Sequence, residues 1–387
     1  MDPAVRLLRE LVAIDSVNPS LVPGAAGEAE IAQAVATHLR QIGLDVELQE
    51  AAPGRSNVIG VLEGRARGRS LMLCGHVDTV GVEGMRAPFD PIERDGRLYG
   101  RGSQDMKGGV AAMIDAARAL ADEGLPAGRV IVAAVVDEEY ASVGADALVA
   151  RWRADAAVVT EPTDLRIAIG HKGFAWFEIE TRGRAAHGSR PLDGRDAIIR
   201  MGRVLHALEQ LDRQLQAAPP HPLMGTASLH ASIIEGGREW SSYPDRCRLK
   251  LERRTVTGET DASVLAELQQ IVARLSSDDA EFDASVSPVF SRPPYEVPLG
   301  HPLPATLRRA LDALPNGGRT ANDASEPIGM SFWTDAAVLG AAGIPSVLFG
   351  PGGAGLHSTE EYVEVQDVLR CRDALAALTR AWCASAG

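Results

Sequence analysis

Two histidines and several carboxylates stand where apolar runs of this chain end, and imidazole and carboxylate are the groups that bind divalent cations and carry protons. The run Leu71-Met72-Leu73-Cys74 leads into Gly75-His76-Val77-Asp78. On an extended chain His76 and Asp78 point to the same side, so Asp78 could hold one imidazole nitrogen and fix the tautomer offered to a metal; a solvated strand end would show the same pattern. In Gly100-Arg101-Gly102-Ser103-Gln104-Asp105 an acid precedes an alanine-rich helix, where it serves as an N-cap or as a ligand according to its neighbours. Asp137-Glu138-Glu139 follow the most apolar run in the chain. Three adjacent acids repel one another unless solvent or a multivalent cation separates their charges. Successive residues of an extended chain point in opposite directions, so one Glu can bind a cation while the other faces a substrate as proton carrier.

Glu161 lies directly beyond the apolar residues 156–160, and His357 follows the distant glycine-rich residues 350–355. Two histidines and three carboxylates at strand ends suit a pair of zinc, cobalt or manganese ions better than calcium. Two such ions about 3.5 Å apart hold a bridging hydroxide, because binding lowers the pKa of water from about 15.7 toward ~7. Hydrolysis is the natural chemistry of that set. His76 and His357 meet only if the fold returns the C-terminal segment to the first domain.

The surrounding pattern supplies such a fold. Asp2 and Pro3 open an amphipathic helix with Leu7, Leu8, Leu11 and Val12 on one face, a second helix fits residues 28–42, and Leu44, Val46 and Leu48 alternate with polar residues as in a half-buried strand. Strand-like runs at 57–62, 70–74, 129–136 and 156–160 then alternate with a helix at 108–123, and the continuous apolar run at 130–136 reads as a central strand of a mostly parallel sheet. From Phe174 the style changes to a β-α-β-β-α-β unit: strands at 174–180, 228–235, 246–252 and 281–286, helices at 194–215 and 262–275. A Pro-rich stretch at 291–298 returns the chain to α/β style, with a strand at 344–350 and a helix at 365–382. We therefore expect a discontinuous α/β catalytic domain (1–173 and 290–387) and an inserted α+β, ferredoxin-like domain (174–289).

Composition excludes other classes. With 39 Lys+Arg against 52 Asp+Glu the net charge is −13, which disfavours a phosphate-binding surface and so nucleic acid. No apolar run approaches the roughly 20 residues of a membrane span, and the N-terminus is not a secretory signal, so we expect a cytoplasmic protein that engages no membrane. Four scattered cysteines, none in a CxxC pair, read as free buried thiols. Residues 350–355 satisfy GxGxxG, yet only a terminal helix follows where a dinucleotide fold needs a second strand.

Taken together, Ser16-Val17-Asn18-Pro19, the HxD element, GRGxxDxKGG, the acidic doublet, Glu161-Pro162-Thr163, and the late Gly-Pro-Gly followed by His resemble the M20 family of metallopeptidases and deacylases across nearly the whole chain. The resemblance implies that His76, Asp105 and Glu161 bind one metal and that Glu139, His357 and the bridging Asp105 bind the other, two divalent ions that are zinc or else cobalt or manganese. It implies Glu138 as general base, Asp78 as orienter of His76, His187 in the inserted domain as an oxyanion donor acting on the partner subunit's site, and Arg254 as a grip on a substrate carboxylate. The implied partners are an N-acyl amino acid or short peptide and a second copy bound through the inserted lid domain. The implied reaction is amide hydrolysis of the deacetylase, desuccinylase or aminoacylase type, with carboxypeptidase or dipeptidase action as the alternative. Ser241 and Thr257 stand where such proteins commonly carry Asn and Pro.

Overall fold

Asp2 caps the first helix, α1 (Pro3–Val12), by accepting from the Ala4 amide at 2.9 Å, and the apolar stripe of that helix is buried. There follow α2 (Ala29–Gln41), β1 (Asp45–Ala52), β2 (Arg55–Glu63) and β3 (Ser70–His76). A short hairpin of β4 (Ile92–Arg94) and β5 (Arg97–Tyr99) leads to a π-helical turn (Ser103–Lys107), α3 (Gly108–Glu123), β6 (Arg129–Val135), α4 (Val143–Arg151), β7 (Ala156–Val159) and β8 (Ala168–His171). The computed structural model describes residues 1–314 and 326–384.

The chain next forms β9 (Gly173–Arg182), α5 (Ala197–Ala217), β10 (Ser228–Gly236), β11 (Arg246–Thr255), α6 (Asp261–Asp278), β12 (Asp283–Arg292) and β13 (Tyr295–Glu296). It closes with α7 (Pro302–Asp312), β14 (Ile328–Met330), α8 (Ala336–Ala341), β15 (Ser346–Leu348), β16 (Gly353–Ala354), β17 (Tyr362–Glu364) and α9 (Val365–Ala384). Two compact units result: Met1–Ile169 with Val297–Ile328 and Thr334–Gly387, and Gly170–Glu296 with Gly329–Trp333.

In the first unit the sheet runs β1-β2-β6-β3-β7-β15, with β6, β3, β7 and β15 mutually parallel and β1 and β2 antiparallel at one side. Every residue of β3 is buried, as a strand covered on both faces requires. The register decides where the polar strand ends meet. His76 lies opposite Val135, Cys74 opposite Val159, and Leu348 opposite Val159. Two residues further along, the chain reaches Asp137, Glu161 and Gly350, so β3, β6 and β7 present His76, Asp137 and Glu161 at one end of the sheet, with β15 ending beside them.

The second unit is a four-stranded antiparallel sheet in the order β10-β11-β9-β12. Ala175, Phe177 and Ile179 of β9 and Leu249 and Leu251 of β11 are buried in a core shared with Met201, Val204 and Leu208 of α5 and Val264 and Leu268 of α6. Thr260 and Ser263 form a capping box that starts α6.

Two expectations need correction. The alternation at residues 44–49 fails, because Leu48 is exposed while Gln49 is buried. Gln49 can be buried because its amide nitrogen donates to the Ala147 carbonyl at 2.7 Å and its oxygen accepts from Asn57 at 3.0 Å. The sequence reading also missed β5, β16 and β17, whose pairing (Tyr362 opposite Tyr99, Gly353 opposite Val363) carries the His357 segment to the turn that holds Asp105. All four cysteines are buried and free. No helix among the described residues is long and apolar enough to cross a membrane.

Candidate metal centre

His76 ends β3 with its side chain almost wholly buried. Its Nδ1–H donates to the backbone carbonyl of Asp78 at 3.0 Å, which fixes the tautomer and aims Nε2 at three carboxylates: Asp105 at 3.2 Å, Glu138 at 3.9 Å and Glu161 at 4.0 Å. His357 Nε2 lies 3.1 Å from Glu139 and 3.3 Å from the second oxygen of Asp105. His76, Asp105, Glu139, Glu161 and His357, the ligands that the family resemblance implies, therefore converge together with Glu138, with the two oxygens of Asp105 turned to different histidines. His76, Asp105 and Glu139 form one group with metal-ligand spacing, and His76, Glu138 and Glu161 form another.

Asp78 acts differently from the sequence expectation. Its carboxylate is 3.6 Å from His76 Nδ1, farther than its own carbonyl. That carboxylate instead accepts the amides of Glu138 at 3.1 Å and Glu139 at 3.2 Å, and the side-chain amide of Asn18 at 2.7 Å. Asp78 thus holds the acidic doublet by its backbone. The charge of the first acid in Asp137-Glu138-Glu139 is balanced within the chain, since Asp137 pairs with Arg55 at 2.8 Å.

Asp105 is not an N-cap. It lies inside the π-helical turn before α3, whose N-cap position is Lys107. The turn is gripped by Glu361, a buried residue that sequence reasoning overlooked. Its carboxylate accepts from Arg101 at 2.7 Å and from the amides of Gly102, Gln104 and Asp105 at 3.0, 2.9 and 3.1 Å. Lys107, fully buried, donates to the Ile14 carbonyl at 2.8 Å, and burial pulls its pKa down to about 7. The available signal was the pair of acids just after His357, and it could not say which would turn inward.

The electrostatics favour positive charge at this point. Burial pushes the Glu138 and Glu161 carboxyls well above the usual range, with repulsion from Glu161, Asp335 and Glu139 adding to it at Glu138 and from Asp105, Asp335 and Glu139 at Glu161. Burial also opposes a charged His76, yet the hydrogen bond to Asp105 and the charges of Glu138 and Glu161 outweigh it and raise the imidazole well above its ordinary value. His357 is raised to about 10 by its bonds to Asp105 and Glu139. Glu139 Oε1 is buried with no hydrogen-bond partner. An acceptor left unpaired among nitrogen and carboxylate donors fits a divalent transition ion.

His187 and Arg254 belong to the second unit. His187 is exposed, with Nδ1 2.8 Å from Ser189 Oγ, and its segment bridges to Ser242. Arg254 donates to Glu252 at 2.6 Å and lies over the Phe174 ring at 5.6 Å. Its neighbour Arg253 is the buried member of the pair, tied to Glu259 and to the Arg254 carbonyl.

Residues 72–381 match the model of peptidase family M20/M25/M40. The chain is 33% identical to an acetylornithine deacetylase from Myxococcus xanthus, over 98% of each chain. It is 30% identical to N-formyl-4-amino-5-aminomethyl-2-methylpyrimidine deformylase from Bacillus subtilis, over 93% of this chain and 91% of the relative. In fold it resembles a dinuclear metal-binding M20 peptidase from Bacillus subtilis with a TM-score of 0.73 at 16% identity, over 97% and 96% of the two chains. The chain belongs to peptidase family M20/M25/M40, whose members are hydrolases of amide and peptide bonds.

Proposed function

We propose that this protein is a di-metal amidohydrolase that removes the acyl group of an N-acyl amino acid. The observation that carries the reading is the convergence of His76, Asp105, Glu139, Glu161 and His357, with Glu138 beside His76. His76, Asp105 and Glu161 would hold one ion and Glu139, His357 and Asp105 the other, zinc first, with cobalt or manganese able to substitute. When bound, such ions supply Lewis acidity toward a carbonyl oxygen and a water acidic enough to attack at neutral pH.

The chain's own groups do the rest. Glu138, held above the usual carboxyl range by burial, takes a proton from the attacking water and passes it to the leaving amine. Asp78 keeps Glu138 aimed by binding its amide. His187 stabilises the tetrahedral oxyanion from the partner subunit, and Arg254 binds the substrate carboxylate as a planar fork. The dimer would form through the second unit, where the edge strand β10 leaves Ile233 and Ile234 half exposed.

Deacylation is favoured over peptide cleavage because two relatives at 30% identity or more over nine-tenths of their length are a deacetylase and a deformylase. The test is a rate survey over formyl, acetyl, succinyl and longer acyl amino acids and dipeptides, with zinc, cobalt or manganese supplied. The reading expects an N-acyl amino acid to be the best substrate and His187→Ala to lower kcat with metal content unchanged. Turnover of dipeptides alone would replace it with the dipeptidase alternative.

A further inference from the structure

The residues that end the acidic run by pairing Asp137 also reach Asp78, through a buried polar chain that the proposed chemistry does not use. Arg55, near the start of β2, donates Nε to Glu28 at 2.8 Å and makes a second, shorter contact to the other Glu28 oxygen. The same guanidinium reaches Asp137 at 2.8 Å, Ser20 Oγ at 3.0 Å and Asn18 Oδ1 at 3.3 Å. Asn18 in turn donates to Asp137 at 3.1 Å and to Asp78 at 2.7 Å. Asp78 accepts the amides of Glu138 and Glu139.

We propose that Arg55 is a positioning residue for the acidic doublet, acting through Asp137 and Asn18 to set the turn from which Glu138 and Glu139 project. The proposal rests on the metal reading for what the doublet does, and on the hydrogen bonds alone for how it is held. Asp137 has a left-handed backbone, φ 69°, which a non-glycine residue keeps only where its surroundings over-determine it. Those surroundings are visible. Its carbonyl accepts the amides of Tyr140, Ala141 and Ser142, and its carboxylate meets Arg55 and Asn18. The side chains of Asp137 and Glu28 are buried, so each carboxylate depends on Arg55 for its counter-charge. Without Arg55, Asp137 turns toward solvent, Asn18 loses one of two acceptors, and the turn relaxes. Glu138 and Glu139 leave that turn together, so one change of angle misplaces both.

The experiment compares wild type, Arg55→Met, Arg55→Lys and the control Arg151→Met, which breaks a partly exposed pair with Glu47. Three readouts are taken: amide hydrogen exchange across residues 137–143 in metal-free protein, cobalt(II) titration followed by its visible spectrum, and kcat and KM on the best acyl substrate. For Arg55→Met we expect exchange across 137–143 to rise at least about tenfold, since opening no longer breaks a charged network. One cobalt should bind as in wild type and the other, the one served by Glu139, about 10–100-fold more weakly. The value of kcat should fall about 10–100-fold with KM within about threefold. Arg55→Lys, which keeps the charge without the fork, should lie between, and Arg151→Met should match wild type.

Unchanged exchange and two unchanged cobalt constants in Arg55→Met overturn the proposal. If Arg55→Met does not fold, Arg55→Lys decides by the same three readouts, wild-type values again counting against it. Wild-type protein that takes up no cobalt would defeat the metal reading, while the exchange rates would still decide whether Arg55 holds the turn.

Discussion

Glu138 and Glu139 differ by one position and would do different work. Glu139 faces His357, and Glu138 faces His76 from farther away than Asp105 does. Replacing Glu138 with Ala should leave two bound ions and lower kcat by about 10²–10⁴, the usual contribution of a positioned proton carrier. Metal analysis and steady-state rates on the same sample check this, and loss of one ion would show that the two roles are exchanged. At this scale the sequence announced residue types better than contacts. His76 and Glu161 were legible as candidates because each stands where an apolar strand ends, whereas Asp105 and His357 were legible only through the motifs around them. The bonds made by Asp78 were not, since the spacing of HxD cannot distinguish a bond to the imidazole from a bond to amides 60 residues away. Glu361 was hidden for the same reason.

At the scale of elements, one close approach sets the geometry. Gly109 lies in the first turn of α3 against the end of β7, and a Cβ there would collide with the Thr160 carbonyl oxygen. Gly109→Ala must push the helix off the strand end that carries Glu161. We expect a loss of about 1–3 kcal/mol in urea unfolding, as for overpacked cores, together with weaker binding of the ion served by Glu161. Wild-type stability and metal affinity in this variant would show that the helix has room to move. The parallel strands were legible because both their faces are buried, which leaves a continuous apolar run. The hairpins β4-β5 and β16-β17 were not, because two or three residues carry no periodicity, although they are what brings residues 357–361 to the turn of Asp105.

At the scale of the whole molecule, acid should weaken the second unit through His171. Its Nδ1–H donates to the Lys172 carbonyl at 2.9 Å, Nε2 is buried without a partner, and burial draws its pKa down to about 4. The unfolded chain takes up this proton near pH 6.5, the folded chain only near pH 4, so the neutral ring's contribution is complete above about pH 6.5 and is lost as pH falls toward 4. Urea unfolding at pH 7 and pH 4.5 should show a smaller acid loss for His171→Gln than for wild type. Equal losses in the two proteins would mean that His171 titrates alike in both states.

The proposed chemistry requires that side chains as far apart in sequence as His76 and His357 cage two cations. Crystals soaked in zinc and measured at its absorption edge test this most directly. Two anomalous peaks are expected, one among His76, Asp105 and Glu161 and one among Asp105, Glu139 and His357. A map with no peak at these residues, or with zinc bound only elsewhere, would contradict it.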